Sequence, residues 1–275
     1  MPELPEVESV RQYLLQGPVA FLGQQVQDVL ILRDKVVDGN PQLFKQALLG
    51  TACKRIERHG KYLFGGFQQP SSTQTVWLAI HLRMTGRLFL VPGQEPLHQH
   101  TRFALVLGKG DKLLFDDPRA FGRVQLVATP RTVTDRLGPD ALLSSAETIY
   151  SRISGVKRQI KPLLLDQSCI AGVGNIYADE ALFRAGLHPE RRSDSLTTTE
   201  LQRLAITLHD VMSEAVQLKG ANVDGTFEAG LFPVAVYGRA GLPCVRCGTL
   251  LMKKSVGQRG RSEERRVGKE CRSRW

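Results

Sequence analysis

Between Val26 and Val127 the chain is written in short apolar runs broken by turn residues: "VQDVLIL", "KYLFGGF", "TVWLAIHL", "GRLFLV", "RFALVLG", "KLLFDD" and "GRVQLVA". Runs of this length and spacing predict antiparallel strands in a sandwich or barrel. Ahead of them, Val7, Val10, Leu14 and Leu15 recur at three-to-four-residue spacing behind Pro5. Proline suits a first helical turn, where its missing N–H has no partner to lose, so the segment predicts an amphipathic leading helix with Glu6 and Glu8 at its positive end. "ATPRTVTDRLGPDALL" then breaks the strand rhythm, and helical periodicity takes over in "AETIYSRISGVKRQIKPLLLD", "NIYADEALFRAG" and "TTTELQRLAITLHDVMSEAVQLKG", three expected helices. A glycine-rich loop, "GANVDGTFEAGLF", precedes "VAVYGRAGLPCVRCG", which reads as a strand and a metal-type knuckle. The expected fold class is α+β multidomain: a leading helix and β-sandwich over 1–130, a helical domain over 131–228, a hairpin over 229–260, and a tail over 261–275.

Composition narrows the function. A chain of 275 residues that is 42% hydrophobic can fill a proper core. With 37 Lys and Arg against 27 Asp and Glu, a net charge of +10 points to a polyanionic partner, nucleic acid first and an anionic membrane surface second. The start of the chain supplies neither a signal peptide nor an apolar anchor of about 20 residues, so no membrane association is expected. Five scattered cysteines, of which only Cys244 and Cys247 lie close together, fit a reducing compartment, the cytoplasm, better than a disulfide framework.

Two motifs carry candidate chemistry. "GVGNIYADE" sets two glycines and Asn175 before a helix, where backbone N–H groups can face a phosphate; a plain glycine turn with an Asn cap explains the same residues. Lys157, Arg158 and Lys161 upstream suit a DNA backbone or a solvated helix face. "PCVRCG" offers two adjacent corners of a tetrahedral zinc site, Cys244 and Cys247, but four ligands are needed and only Cys271 follows.

Taken in order, "PELPEVE", "HGKYL", "HLRMTGRL", "DPRAFG", "KPLLLDQSCIAGVGNIYADE" and "VYGRAGLPCVRCGT" with "QRG" resemble formamidopyrimidine-DNA glycosylase, the bacterial base-excision repair family for oxidised purines. The resemblance runs from residue 1 to about 260. It implies a C-terminal helix-two-turns-helix domain with a zinc-finger hairpin, one structural zinc ion, damaged double-stranded DNA in a basic cleft between the domains, and a monomer associated with the nucleoid. The implied activity is excision of 8-oxoguanine and formamidopyrimidines, followed by β,δ-elimination at the abasic site.

The opening residues gain a chemical meaning from that resemblance. Removal of Met1 would leave Pro2 with a secondary amine whose pKa lies near 8, so a useful fraction is unprotonated at neutral pH and can attack the sugar. The resemblance makes Glu3 the general acid, Glu6 a supporting carboxylate, Lys61 the proton donor for β-elimination and Arg259 the residue of δ-elimination. It makes Met84, Arg119 and Phe121 the wedge that fills the gap left by an extruded nucleotide. Phosphate contacts map onto Lys61, His81, His98, Arg119, Lys157, Asn175, Tyr237, Lys253 and Arg259, and Lys161 belongs to the same DNA-binding module.

The chain departs from the pattern in two places. Ala120 stands where the family more often has a second arginine. The tail "RSEERRVGKECRSRW" replaces the closing cysteine pair and can be encoded by a sequencing-adapter read-through, so it is expected to be foreign. With half a zinc site, the hairpin bearing Lys253 and Arg259 is expected to be poorly held, and DNA binding impaired. Two rivals stay open at this point: an endonuclease VIII-like enzyme for oxidised pyrimidines, and a catalytically silent DNA-binding protein.

Overall fold

The computed structural model describes residues 2–17, 19–223, 230–253 and 256. The chain divides into two compact units, Met1–Pro2 with Glu6–Asp135, and Glu3–Pro5 with Arg136–Trp275.

Helix α1 (Leu4–Gln16) begins one residue before the expected Pro5. All seven apolar runs are strands: β1 (Val26–Ile31), β4 (Tyr62–Gln68), β5 (Thr75–His81), β6 (Arg87–Val91), β7 (Thr101–Leu107), β8 (Lys112–Asp116) and β9 (Arg123–Val127). Three further elements lacked a run to announce them: β2 (Val37–Asp38), α2 (Pro41–Leu48) and β3 (Ala52–His59). β3 reads "ACKRIERH" and lies at a sheet edge, where a charged strand is tolerated and discourages pairing with other chains. α2 starts at Asn40, whose side chain accepts from the Gln42 and Leu43 N–H groups at 2.9 and 3.2 Å, with Pro41 opening the helix.

The strands form two sheets, ordered β1-β7-β8-β6 and β2-β9-β5-β4-β3. Every pairing is antiparallel except β2 with β9, which is parallel and corrects the purely antiparallel expectation. β4 and β5 are buried along both faces, because a second apolar cluster of Phe64, Trp77 and Ala79 with Val127 and Val133 covers the side away from the sandwich core. Their sequences are therefore continuous apolar runs rather than alternating ones. A four-residue helix, α3 (Arg131–Thr134), closes this unit.

Among the described residues the second unit has four α-helices where three were expected: α4 (Ala146–Ile153), α5 (Ile160–Leu164), α6 (Asn175–Ala185) and α7 (Thr198–Gln217). The segment taken as one helix breaks after Ile153, where Ser154 turns extended and Gly155 adopts φ +70°. α7 opens with a reciprocal capping box between Thr197 and Glu200. Leu4, Ile153, Leu164, Tyr177, Leu208 and Met212 belong to one buried core. Over 230–253 the expected strand is absent among the described residues, and Pro243 and Leu250 make only an isolated bridge. Pro243 has no N–H to extend a ladder, and Gly238, Gly241 and Gly248 turn the backbone to positive φ.

Candidate functional site

Glu3 is fully buried and turns its carboxylate onto the start of α6. Its Oε1 accepts the Ile176 N–H at 2.9 Å and its Oε2 the Tyr177 N–H at 3.4 Å. Those donors have no intrahelical partner, and the positive end of the helix favours an anion there. The anion at "GVGNIYADE" is therefore the protein's own carboxylate, which corrects the expectation that these N–H groups face a phosphate. The glycines are explained by the same approach: a Cβ on Gly174 would stand 2.2 Å from Glu3 Cδ, and one on Gly172, at φ +105°, 2.4 Å from Leu4 Cδ1. Leu4 N–H donates to the Gly172 carbonyl at 3.2 Å, so residues 3 and 4 are held from both sides. Asn175, the first residue of α6, keeps its side-chain oxygen buried and without a hydrogen bond among the described residues.

In the other unit Pro2 and Glu6 are buried, and Lys61 sits half-buried on the two-residue turn between β3 and β4. Gly60 holds the first turn position at φ +56°, as a tight hairpin requires. Arg58 secures that turn from within. Its Nη1 donates to the Gly60 carbonyl at 3.1 Å and its Nε to Glu8 Oε2 at 2.8 Å, while Arg11 holds Glu8 Oε1 at 2.7 Å. Burial alone would push the Glu8 carboxyl up, but the hydrogen bonds and charges of Arg11 and Arg58 outweigh it and hold the group below its ordinary value.

His81 lies opposite Tyr62 across β4 and β5, with the rings edge to face at 4.5 Å. Burial, helped by the positive charges of Arg83 and Lys61, pushes its pKa down to about 3. Its Nδ1 accepts the Arg83 N–H at 3.0 Å, so the neutral ring carries its proton on Nε2 and can offer a phosphate a hydrogen bond but no charge. His98 is the opposite case. Burial pulls it down, yet hydrogen bonds to Asp116 Oδ2 at 2.5 Å and Glu95 Oε1 at 3.4 Å outweigh this and raise it above the ordinary histidine value.

Arg119 is exposed, with its guanidinium carbon 4.7 Å from the centre of the Phe121 ring, and Phe121 is 47% exposed. Phe121 is thus not a core side chain, which removes ordinary strand packing as its explanation. Met84 is half-buried in the turn closed by the Gly86 N–H on the Leu82 carbonyl.

Among the basic residues of the second unit, Lys157 and Lys253 are exposed. Lys161 is not: it is fully buried and its Nζ pairs with Asp179 Oδ1 at 2.6 Å, which overturns its assignment as a DNA contact. Burial pushes the Asp179 carboxyl up to about 6, against the pull of Lys161, and Asp179 Oδ2 has no hydrogen bond among the described residues. Tyr237 is half-buried, and its N–H donates to Glu180 Oε1 at 3.0 Å. Arg259 lies outside the described residues.

Cys244 is buried and Cys247 half-buried, and among the described residues no cluster of three or more His, Cys, Asp or Glu side chains could hold a metal. Two sulfurs supply two of the four corners of a tetrahedral zinc site. The surrounding chain is nonetheless anchored. Glu180 accepts the N–H groups of Ala235, Val236 and Tyr237 within 3.0 Å, and Arg246 donates to the Phe183 and Arg184 carbonyls at 2.9 and 3.2 Å while lying over the Phe183 ring. These contacts hold the chain at 235–237 and at Arg246, while of the two basic residues expected on the hairpin Lys253 is exposed and Arg259 lies outside the described residues.

Sequence reasoning passed over Arg58 and Glu180. Arg58 follows Ile56 by two residues and so shares its inward face, a readable signal only once β3 is recognised. Glu180 follows Asp179 on α6, a helix buried at nearly every position, where each carboxylate must find donors.

The formamidopyrimidine-DNA glycosylase N-terminal domain matches residues 1–124, and the H2TH domain of the same family matches residues 137–226. The chain is 40% identical over 273 residues to formamidopyrimidine-DNA glycosylase of Pelotomaculum thermopropionicum and 38% identical over 272 residues to that of Lactiplantibacillus plantarum, each covering 94% of this chain and 96% of the relative. It is similar to the structure of MutM in complex with DNA containing carbocyclic 8-oxo-G, with 28% identity and a TM-score of 0.84. It is also similar to Lactococcus lactis Fpg in complex with DNA containing N7-benzyl-Fapy-dG, with 29% identity and a TM-score of 0.84. Both alignments cover 94% of this chain and 96% of the other. No helix among the described residues is long and apolar enough to cross a membrane.

Proposed function

Because the chain belongs to the formamidopyrimidine-DNA glycosylase family, we propose that this base-excision repair DNA glycosylase removes oxidised purines from duplex DNA through Pro2 and then cleaves the abasic site. Damaged DNA is its partner, and it acts on it as a monomer. The observation that supports this reading best is the placement of Glu3, next to Pro2 in the chain and fixed by the α6 N–H groups and by Gly174.

With Met1 removed, the Pro2 nitrogen bonds to C1′ of the damaged nucleotide as the base departs with a proton, and ring opening leaves a cationic iminium. That cation acidifies the C2′ proton. Its loss expels the 3′ phosphate, a second elimination expels the 5′ phosphate, and water releases the sugar fragment. Glu3 delivers protons at the sugar, Lys61 serves the first elimination and Arg259 the second. A carboxylate held by two backbone donors keeps one orientation, which proton transfer at a defined atom requires. Neutral His81 and exposed Lys157 and Lys253 supply phosphate contacts, and the net charge of +10 favours encounter with DNA.

Borohydride reduction during turnover of a duplex bearing 8-oxoguanine opposite cytosine tests the reading. Protein lacking Met1 should become covalently joined to DNA through Pro2, as intact mass and peptide sequencing would locate. Base release with no trapped adduct would overturn the Pro2 mechanism, and absence of both would overturn the activity.

A further inference from the structure

Asp117 is fully buried, and three of its polar contacts reach the two loops that carry the wedge side chains. Its Oδ1 accepts the Thr85 hydroxyl, one residue after Met84, and the Arg119 N–H at 3.2 Å. Its Oδ2 accepts the Gly122 N–H at 2.7 Å, one residue after Phe121. The Arg119 N–H also reaches Thr85 Oγ1 at 3.4 Å, so the hydroxyl links both loops directly. The Asp117 backbone is itself fixed: its N–H donates to the His100 carbonyl at 2.9 Å, and its carbonyl accepts Arg102 Nε at 2.9 Å.

The neighbouring residues leave these loops little room to move separately. Gly86 and Gly122 both lie against the Phe115 ring, where a Cβ would approach within 2.9 and 2.3 Å. Arg83 and Ala120 hold positive φ, at 56° and 54°, conformations that persist in non-glycine residues only when surroundings enforce them. A buried carboxylate satisfied by donors on two loops couples those loops, since moving either one strands its charge.

We infer that Asp117 and Thr85 are positioning residues that make the Met84 turn and the Arg119–Phe121 loop enter the DNA as one body. The inference rests on the wedge role given to those three side chains above. A single-stranded substrate leaves no gap in a duplex to fill, so the coupling acts on duplex DNA alone.

The test uses full-length Thr85→Val, which removes the hydroxyl and keeps the shape, Thr85→Ser, which restores the donor, and Asp117→Asn. Wedge entry is read by fluorescence of 2-aminopurine placed opposite a stable abasic analogue. Activity is read as strand cleavage at an abasic site in duplex and in single-stranded DNA. Thr85→Val should reduce the fluorescence change and lower duplex cleavage about tenfold, the worth of one hydrogen bond, with single-strand cleavage kept; Asp117→Asn should lose more, and Thr85→Ser should return to wild type. Equal losses on both substrates, or no loss of the fluorescence change in Thr85→Val, would overturn the inference. Wild-type protein that fails to cleave either substrate while still giving the fluorescence change would instead overturn the proposed lyase activity and leave the coupling standing.

Discussion

Replacing Arg58 by Met should destabilise the Glu6–Asp135 unit more than any surface change can, because it strands a buried charge. The Arg58 and Glu8 side chains are only 2% and 7% exposed and meet at 2.8 Å. Removing one partner of a buried pair costs about 3–5 kcal/mol, whereas replacing both is often near neutral. Glu8 keeps Arg11, which is 30% exposed and softens the loss, while the Gly60 carbonyl forfeits a hydrogen bond worth about 1 kcal/mol. A net loss of about 3 kcal/mol follows from these terms. Urea unfolding followed by the fluorescence of Trp77, which is 5% exposed, would measure it in a Trp275→Phe background. The double variant Glu8→Gln/Arg58→Met should recover about 1–2 kcal/mol relative to Arg58→Met alone. The pH dependence supplies a second check. A carboxyl lowered from its ordinary value of 4.5 contributes stability that is fully present above that value and is lost as pH falls through the folded pKa, so the gap between wild type and Arg58→Met should close in acid. A loss below about 1 kcal/mol at neutral pH, or a double variant less stable than the single one, would refute the reasoning.

Gly174→Ala places a Cβ where the Glu3 carboxylate lies and should lower single-turnover base excision by about 100-fold with the fold intact by circular dichroism. Lys161→Met leaves Asp179 buried and unpaired and should cost about 3–5 kcal/mol in unfolding of the Arg136–Trp275 unit, followed by hydrogen exchange of α6 and α7. Asp179 itself, raised from 3.8 to about 6, binds its proton more tightly folded than unfolded, so its contribution to stability falls as pH rises across that interval; Asp179→Asn should flatten that slope. His98, raised above 6.5, carries positive charge that is lost as pH climbs past its pKa, so duplex affinity should weaken there and His98→Gln should remove that component in fluorescence anisotropy titrations. His81, neutral down to about 3, should add no slope between pH 5 and 8.

The strands of the first unit were legible because a half-buried strand alternates apolar with polar residues and a doubly covered one is apolar throughout, and all seven apolar runs became strands. β3 escaped because an edge strand can be charged on its outer face, and the break between α4 and α5 escaped because a glycine in a helical pattern punctuates only when its neighbours demand positive φ. Motif order carried the family, and the basic excess carried the class of partner. What no linear reading supplied was which charges are spent inside the protein. Lys157 and Lys161 share one short basic stretch, yet the first is exposed and the second is sealed against Asp179. Glu3 precedes the leading helix in the sequence, and the fold turns it toward a different helix, 173 residues further along the chain, whose free N–H groups require an acceptor. Residue types and their order therefore determined the elements and the chemistry on offer. Burial and long-range pairing, which depend on neighbours far away in sequence, decided which groups remain available to DNA and which hold the site in shape.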